Sequence, residues 1–285
     1  MKVLGISRST RFSPNSVGRD EAIFMAVASR LERRGCDVSI ISEDLFVAVE
    51  LEEFDGVFSM ARGKDVLSSL AQAETQDNLF VLNSARALAE NTRAVITTKF
   101  EGAGIPQPHS VVCPTADYAN SQQPPLAFPI WLKRGDACAQ TAADVQFVSD
   151  EEGWGQALTH FHEVGADSFV AVEHLDGDLV KFYGVEGTTF FHTMRANTEG
   201  SFSKFGLEQH NSACRNIPFS EASLKQLADQ ASRASGFTVY GGDAIISPEG
   251  DIRIIDFNDW PSFSACRKDA AKAIAQRFLA ECPES

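Results

Sequence analysis

Short apolar runs alternate with amphipathic segments in the N-terminal third of the chain. Residues 2–6 are mainly apolar and predict a strand. In residues 19–34, Ile23, Val27 and Leu31 recur at four-residue spacing, which predicts a helix with one buried face. This change from a continuous apolar run to helical spacing is the basic unit of the pattern.

The same unit recurs towards residue 82. Apolar runs at 38–41, 55–60 and 80–82 predict three further strands, and residues 64–74 predict a helix between the last two. Strands that alternate with helices predict a parallel α/β sheet. In such sheets the binding groups gather in the loops beyond the carboxyl ends of the strands.

Two of those loops carry basic residues. Arg8 follows the first strand and Arg62 follows the third, so both are candidate contacts for an anionic substrate. Arginine and lysine side chains are mostly exposed, and a solvated surface is the alternative interpretation. We favour that alternative for Arg11, Arg19 and Lys64.

A second pattern, near the C-terminus, predicts a β-hairpin. Apolar runs at 244–246 and 252–255 flank Ser-Pro-Glu-Gly-Asp, a turn-rich linker. Asp243 begins the first strand, and Asp256 and Asn258 end the second. Alternate residues share one face of a strand, and carboxylate and amide oxygens suit Mg²⁺. A solvent-facing charged hairpin is the alternative, but these polar groups lie inside a core-like strand.

Composition narrows the function classes. The net charge of −14 argues against a nucleic-acid-binding protein. No apolar run approaches the roughly 20 residues of a membrane span, and the first residues are too short an apolar stretch for a signal peptide. The six scattered cysteines contain no Cys-x-x-Cys and are typical of reduced thiols. We therefore expect a cytoplasmic protein with no nucleic-acid or membrane partner.

The C-terminal hairpin resembles the metal-binding hairpin of ATP-grasp enzymes. In that superfamily an acid on one strand and acid-x-Asn on the next hold magnesium against the phosphates of ATP. The resemblance implies that Asp243, Asp256 and Asn258 bind Mg²⁺. Most ATP-grasp ligases carry Glu-x-Asn, whereas Asp-Phe-Asn-Asp-Trp-Pro-Ser-Phe is more similar to the inositol phosphate kinases.

Two further segments resemble phosphate-binding parts of the same superfamily. The run from Asn83 through Arg93 to Gly-Ile-Pro implies that Arg93 contacts phosphate where a lysine is commoner. Phe-Pro-Ile-Trp-Leu-Lys133 is similar to the strand whose lysine contacts the phosphates. The loop at 134–143 takes the place of the phosphate-covering loop, but it has one glycine and lacks the histidine of the kinases.

The segment that starts at Glu173 resembles the adenine-side hinge of ATP-grasp proteins. The resemblance implies that backbone groups of Glu173, His174 and Leu175 read the adenine edge. A nearby acid would hold the ribose hydroxyls, and Asp176 and Asp178 are the candidates.

Two cations beyond the hinge match catalytic positions of the superfamily. Lys181 matches a lysine that contacts nucleotide or phosphorylated substrate, and Arg195 matches an arginine near the transferred phosphate. A cation there would stabilise the phosphoryl group during transfer. Arg8, Arg62 and Arg195 are the predicted substrate contacts. Trp131 is interpreted as a packing residue.

The resemblance implies an ATP-grasp fold, of mixed α/β and α+β class. Its predicted parts are an N-terminal parallel α/β lobe (1–110) and two ATP-binding α+β lobes (111–180 and 181–285). ATP and Mg²⁺ are the implied cofactors. The leading hypothesis is a kinase acting on a small anionic polyol such as an inositol phosphate. The competing hypotheses are an ADP-forming carboxylate–amine ligase and a non-catalytic ATP-sensing module.

Overall fold

The computed structural model describes residues 1–13, 15–118, 123–136, 142–196, 210–211 and 213–282. The predicted loop at 134–143 therefore lies partly outside the described residues. The described residues form three four-stranded sheets with helices packed against them. Within this part of the chain, no helix is long and apolar enough to cross a membrane.

The first sheet is parallel, and this confirms the α/β alternation predicted from the sequence. Its strands are β1 (Lys2–Ser7), β2 (Asp37–Ser42), β3 (Gly56–Ser59) and β4 (Phe80–Leu82), in the order β2-β1-β3-β4. Helices α1 (Val17–Glu32) and α2 (Lys64–Gln76) connect them. The carboxyl ends of β1 and β3 therefore meet at one edge, which brings the loops that hold Arg8 and Arg62 together.

The second sheet is antiparallel and follows two linking helices. The helices are α3 (Ala85–Glu90) and α4 (Arg93–Gly102). The strands are β5 (Ser110–Pro114), β6 (Ile130–Arg134), β7 (Val145–Val148) and β8 (Ser168–Glu173), in the order β5-β8-β6-β7. Helix α5 (Glu151–Glu163) covers one face of this sheet and buries Trp154 and Phe161 there.

The third sheet carries the predicted metal hairpin. Its strands are β9 (Asp178–Val185), β10 (Phe191–Arg195), β11 (Val239–Ile246) and β12 (Ile252–Asp259), in the order β10-β9-β11-β12. All three pairings are antiparallel. Helices α6 (Glu221–Ser235) and α7 (Arg267–Glu281) complete this part of the chain.

Helix α6 has clear sequence signals at both ends. Ser220 caps its N-terminus by accepting a hydrogen bond from the backbone N–H of Ser223 at 3.1 Å. Gly236 ends the helix with φ at 74°, a left-handed conformation that glycine adopts without strain. Leu224 and Ala228 bury one face of the helix against β9 and β11.

Helix α7 joins the first sheet to the third. The amphipathic pattern of residues 265–279 predicts a helix with Ala270, Ala273, Ile274 and Phe278 inward, and the structure confirms it, because all four are buried. Phe278 lies edge-on to Phe58 of β3, with ring centroids 6.4 Å apart. The same apolar cluster includes Val185 of β9. A shared apolar core therefore holds the first and third sheets together.

Candidate functional site

A cleft of about 1280 Å³ opens between the three sheets. It brings together predicted site residues from across the sequence: Arg8, Arg62, Arg93, Lys133, Glu173, His174, Leu175, Lys181, Asp243, Asp256 and Asn258. Three predicted residues are not among the described residues that line it: Asp176, Asp178 and Arg195.

A β-bulge in β12 decides which side chains face this cleft. Asp243 lies opposite Asp256, but the next residue, Ala244, lies opposite Ile254. Ile255 is therefore the extra residue of the bulge, because the partner strand has no residue opposite it.

The extra residue changes the phase of the strand. Ile254 and Phe257 are three residues apart, yet both are buried in the core beneath α6. In a regular strand the residues on one face are an even number apart, so Ile254 would share its face with Asp256. The bulge instead leaves Asp256 and Asn258 on the cleft side while the apolar residues on either side of it stay in the core.

Lys133 extends from β6 to the bulge. It is 7% exposed, and its Nζ donates a hydrogen bond to the main-chain oxygen of Ile255 at 2.7 Å. The pKa of Lys133 is lowered to about 8, mainly by burial and also by the nearby Arg93, whereas Asp256 opposes the shift. The lysine is thus held in the cleft by a carbonyl at the point where the strand pairing is irregular.

Asp256 is bound on both of its oxygens. Its Oδ1 accepts a hydrogen bond from Nη1 of Arg93 at 2.5 Å, and its Oδ2 accepts one from Nδ2 of Asn258 at 2.7 Å. Burial alone would raise the pKa of Asp256, but Arg93 and Lys133 hold that pKa well below its usual range. Asp256 is therefore a carboxylate at neutral pH, the form in which it can bind a cation.

Asp243 is the second acid in this part of the cleft. It lies opposite Lys181 in the β11–β9 register, and Nζ of Lys181 is 3.4 Å from its Oδ1. Both side chains are partly exposed to the cleft. Asp243 and Asp256 are cross-strand partners, so two carboxylates with opposing cations face the same space.

The donor atoms present fit Mg²⁺. Among the described residues, no group of three or more His, Cys, Asp or Glu side chains could hold a metal ion. The candidate set is instead two carboxylates and one amide, Asp243, Asp256 and Asn258, which supply hard oxygen donors. A magnesium ion bound by so few protein groups would take its remaining ligands from water and phosphate.

The hinge after β8 has one feature that the sequence analysis missed. The indole N–H of Trp131 donates a hydrogen bond to Nδ1 of His174 at 3.1 Å, and both residues line the cleft. Burial lowers the pKa of His174, which favours the neutral ring that this bond requires. Trp131 lies two residues before Lys133 in β6, so the alternation of the strand was the signal that it faces the cleft and not only the core.

The predicted ribose contacts are not supported. Asp176 is exposed and is not among the described residues that line the cleft. It pairs with Arg215 at 3.0 Å. Asp178 is 0% exposed, and it accepts hydrogen bonds from the backbone N–H groups of Arg215 and Ile217, each at 2.7 Å. A fully buried carboxylate with these donors has no surface to offer to a nucleotide, so the prediction for Asp178 is wrong.

Arg195 is also placed differently from the prediction. In the β10–β9 register Arg195 lies opposite Val180, while Met194 lies opposite Lys181. Opposed residues of antiparallel strands share a face, so Arg195 lies on the α6 side of the sheet and Lys181 on the cleft side. Nη1 of Arg195 donates to Asp178 at 2.7 Å. The structure contradicts the predicted contact of Arg195 with the transferred phosphate and with substrate.

Arg8 and Arg62 lie at the end of the cleft next to the first sheet, which we call its N-terminal end. Each of them has an acidic partner. Nη1 of Arg8 is 3.1 Å from Oδ2 of Asp20, and the guanidinium of Arg62 contacts Asp259. Both arginines were predicted from the sequence, but neither acid was. Their signals were weak, because Asp20 lies at the start of a helix and Asp259 directly follows Asn258.

Many solved structures resemble this chain, and two of them cover nearly all of it. No family model matches the chain. No curated protein sequence matches it. An ATP-grasp RimK domain protein from Sphaerobacter thermophilus superposes with a TM-score of 0.67 at 15% identity, over 98% of this chain and 100% of that chain. A D-alanine–D-alanine ligase from Bacillus anthracis superposes with a TM-score of 0.65 at 10% identity, over 98% of each chain.

These similarities extend over nearly the full length of both chains, and this chain combines one parallel sheet with two antiparallel sheets. The chain therefore has the ATP-grasp fold.

Proposed function

We propose that this protein is an ATP- and Mg²⁺-dependent enzyme that phosphorylates the carboxylate of a small molecule and joins the product to an amine. The observation that carries the proposal is the charge arrangement on the cleft wall. Asp256 lies between Arg93 and Lys133, with Asn258 beside it and Asp243 opposite. Alternating cations and oxygen donors are what a metal-bound polyphosphate requires.

Each of these groups has a distinct part in the proposal. Asp243, Asp256 and Asn258 would hold Mg²⁺, which supplies neutralisation of the phosphate charge when it is bound. Lys133, which the bulge carbonyl holds in place, and Arg93 would bind phosphate oxygens. Each cation already pairs with a carboxylate or a carbonyl, so it is oriented before the nucleotide arrives.

Lys181 provides a third cation on the same wall, and its partner Asp243 is one of the candidate metal ligands. If Asp243 holds a metal ion, a phosphate oxygen would take its place as the partner of Lys181. Phosphoryl transfer depends on positioning and charge stabilisation more than on covalent chemistry, and the lysine contributes to both.

The proposed reaction has two steps. The carboxylate oxygen of the first substrate attacks the γ-phosphorus, the bond to the bridging oxygen breaks, and ADP leaves with an acyl phosphate formed. The amine of the second substrate then attacks the acyl carbon, inorganic phosphate leaves, and the amine loses a proton. Arg8 and Arg62 line the N-terminal end of the cleft and would bind the carboxylate substrate.

The solved structures supply the support for a ligase in preference to a kinase. One neighbour is named as a D-alanine–D-alanine ligase, and ATP-driven joining of a carboxylate to an amine can proceed through an acyl phosphate. The second candidate is a kinase acting on an anionic polyol such as an inositol phosphate. It is favoured by Asp256-x-Asn258 in place of the Glu-x-Asn of most ligases.

The test is ³¹P NMR of the purified protein with Mg·ATP and pooled acceptors: amino acids, dicarboxylates, polyols and inositol phosphates. We expect ADP and equimolar inorganic phosphate that depend on both an acid and an amine. A new phosphoester signal without inorganic phosphate would establish the kinase instead. Asp256→Ala is the inactive blank, and Asp251→Ala on the exposed hairpin turn is the matched active control.

A further inference from the structure

A buried acid lies against the two arginines at the N-terminal end of the cleft. Asp259 is 3% exposed, and one of its carboxylate oxygens contacts the guanidinium of Arg62. The other, Oδ2, lies 4.0 Å from Nη2 of Arg8 and has no hydrogen-bond partner among the described residues. Both arginine side chains are more exposed than the Asp259 carboxylate. The arginines therefore form most of the surface that these three side chains expose to the cleft.

Arg8 is held in a fixed position by groups on its other side. Its Nε donates to the main-chain oxygen of Met60 at 3.1 Å, and its Nη1 donates to Asp20 at 3.1 Å. Asp20 is itself buried, and it accepts a hydrogen bond from Oγ of Ser13 at 2.8 Å. The guanidinium therefore has one acid on each side.

We name Arg8, Asp20, Arg62 and Asp259 the acceptor cluster. Its two positive and two negative side chains sum to zero charge, and all four side chains are buried or nearly so. Salt and water screen exposed charges strongly and buried charges much less. The exposed Arg11 and Lys64 at the rim of the cleft therefore affect a bound anion less than the acceptor cluster does.

We infer that Asp259 selects the acceptor by its charge, so that the cleft favours a singly charged carboxylate over a doubly charged group. This inference rests on the proposed function, because it concerns the acceptor of the same site. A carboxylate can accept hydrogen bonds from the arginine N–H groups of a neutral cluster. A second negative charge would face Asp259 with no further buried cation in the cluster to balance it.

The variant Asp259→Asn separates charge from shape. Asparagine has the size of aspartate, and its amide oxygen can still accept from Arg62, but the acceptor cluster then carries one net positive charge. The probes are acetate and malonate, titrated by calorimetry at constant ionic strength into protein saturated with Mg²⁺ and a non-hydrolysable ATP analogue. We expect the affinity for malonate relative to acetate to rise about five- to tenfold.

Two further variants distinguish a charge effect from a structural one. Arg62→Gln makes the cluster negative and should shift the ratio of affinities towards acetate. The double variant Arg62→Gln/Asp259→Asn restores zero charge and should return the ratio to within about twofold of wild type. Loss of a purely structural contact would not be repaired by a second substitution. Asp251→Asn makes the same charge change on the exposed hairpin turn and should leave the ratio unchanged.

An unchanged ratio in Asp259→Asn, or a double variant that keeps the shifted ratio, would overturn the inference. Failure of the wild type to bind either anion would also overturn it. These results are distinct from failure of the proposed function. A protein that forms ADP with a carboxylate and an amine, yet shows no charge shift, keeps the proposed function and loses only this inference. A protein that binds no nucleotide loses both.

Discussion

The third sheet contains two aspartate–arginine pairs with similar chemistry and different surroundings. Asp256 pairs with Arg93 at 2.5 Å on the cleft face, and Asp178 pairs with Arg195 at 2.7 Å near the opposite face. Basic and N–H partners outweigh the effect of burial at both acids, so the pKa of each lies below its usual range. Ionisation alone therefore does not distinguish a candidate site from a structural ion pair.

The two ion pairs do differ in whether further hydrogen bonds to the acid come from backbone or side-chain groups. Besides Arg195, Asp178 accepts hydrogen bonds from two backbone N–H groups, those of Arg215 and Ile217. Backbone donors cannot turn to another ligand without unfolding the segment, so this pair fixes the chain. Among the described residues, the hydrogen-bond donors to the carboxylate of Asp256 are side chains, those of Arg93 and Asn258, which can move to a metal ion or a phosphate. A candidate binding acid is therefore distinguished from a structural one by partners that are able to exchange.

The largest expected effect is at Asp256. Asp256→Asn removes the charge that we propose binds Mg²⁺ but keeps the size of the side chain, so kcat should fall about 100- to 1000-fold. Steady-state ADP formation measures kcat, and calorimetry should show a Tm close to that of wild type. A kcat within about threefold of wild type would remove Asp256 from the candidate site.

The next effect is on folding, at Asp178. Asp178→Asn leaves Arg195 without its buried counter-charge, so the free energy of unfolding should fall by about 3 kcal/mol. Urea unfolding at neutral pH measures this change. Unchanged stability combined with lost activity would reverse the roles assigned to the two acids.

This second prediction has a pH dependence. The folded pKa of Asp178 lies below the unfolded value of about 4, so its contribution is present at neutral pH and is lost as the pH falls below about 4. The difference in stability between wild type and Asp178→Asn should therefore shrink on acidification. A difference that stays constant from pH 7 to pH 3 would show that the ionised form of Asp178 is not what stabilises the fold.

The smallest effect compares two cations on opposite faces of the sheet. Lys181→Met removes a positive charge from the cleft, and the dissociation constant for Mg·ATP should rise about tenfold, as for one lost charged contact. Arg195→Met on neighbouring β10 should leave that constant unchanged while it lowers Tm. Nucleotide titration of both variants at one salt concentration measures the contrast. Equal losses of affinity would show that Arg195 acts on the nucleotide after all.

Much of the architecture could be read from local patterns. The four strands of the first sheet and the buried face of α7 appear where their periodicity predicts them, because these patterns reflect burial on one side of a regular element. The cleft-facing position of Trp131 could also have been predicted from the alternation of β6, since Trp131 and Lys133 are two residues apart. The identity of the acceptor stays a prediction.

The acids that pair with the arginines could not be found in this way. Asp259 contacts Arg62 only because the ends of β3 and β12 come together in the fold, and Asp20 contacts Arg8 where the first turns of α1 lie beside the loop after β1. Contacts of such long sequence separation leave no periodic trace in a single chain. The same reason explains the error at Arg195, because motif order places a residue along a strand but does not report on which face it lies.

The sequence by itself determined the chemical inventory of the cleft: two acids and an asparagine on one hairpin, with basic residues at matching places along the chain. Only the tertiary structure decided which of these groups face one another. The bulge at Ile255 changes the phase of β12, so Asp256 faces the cleft, whereas the β10–β9 register turns Arg195 away from it. The physical reason is that strand pairing assigns every side chain to one face of a sheet, and pairing depends on residues distant in sequence.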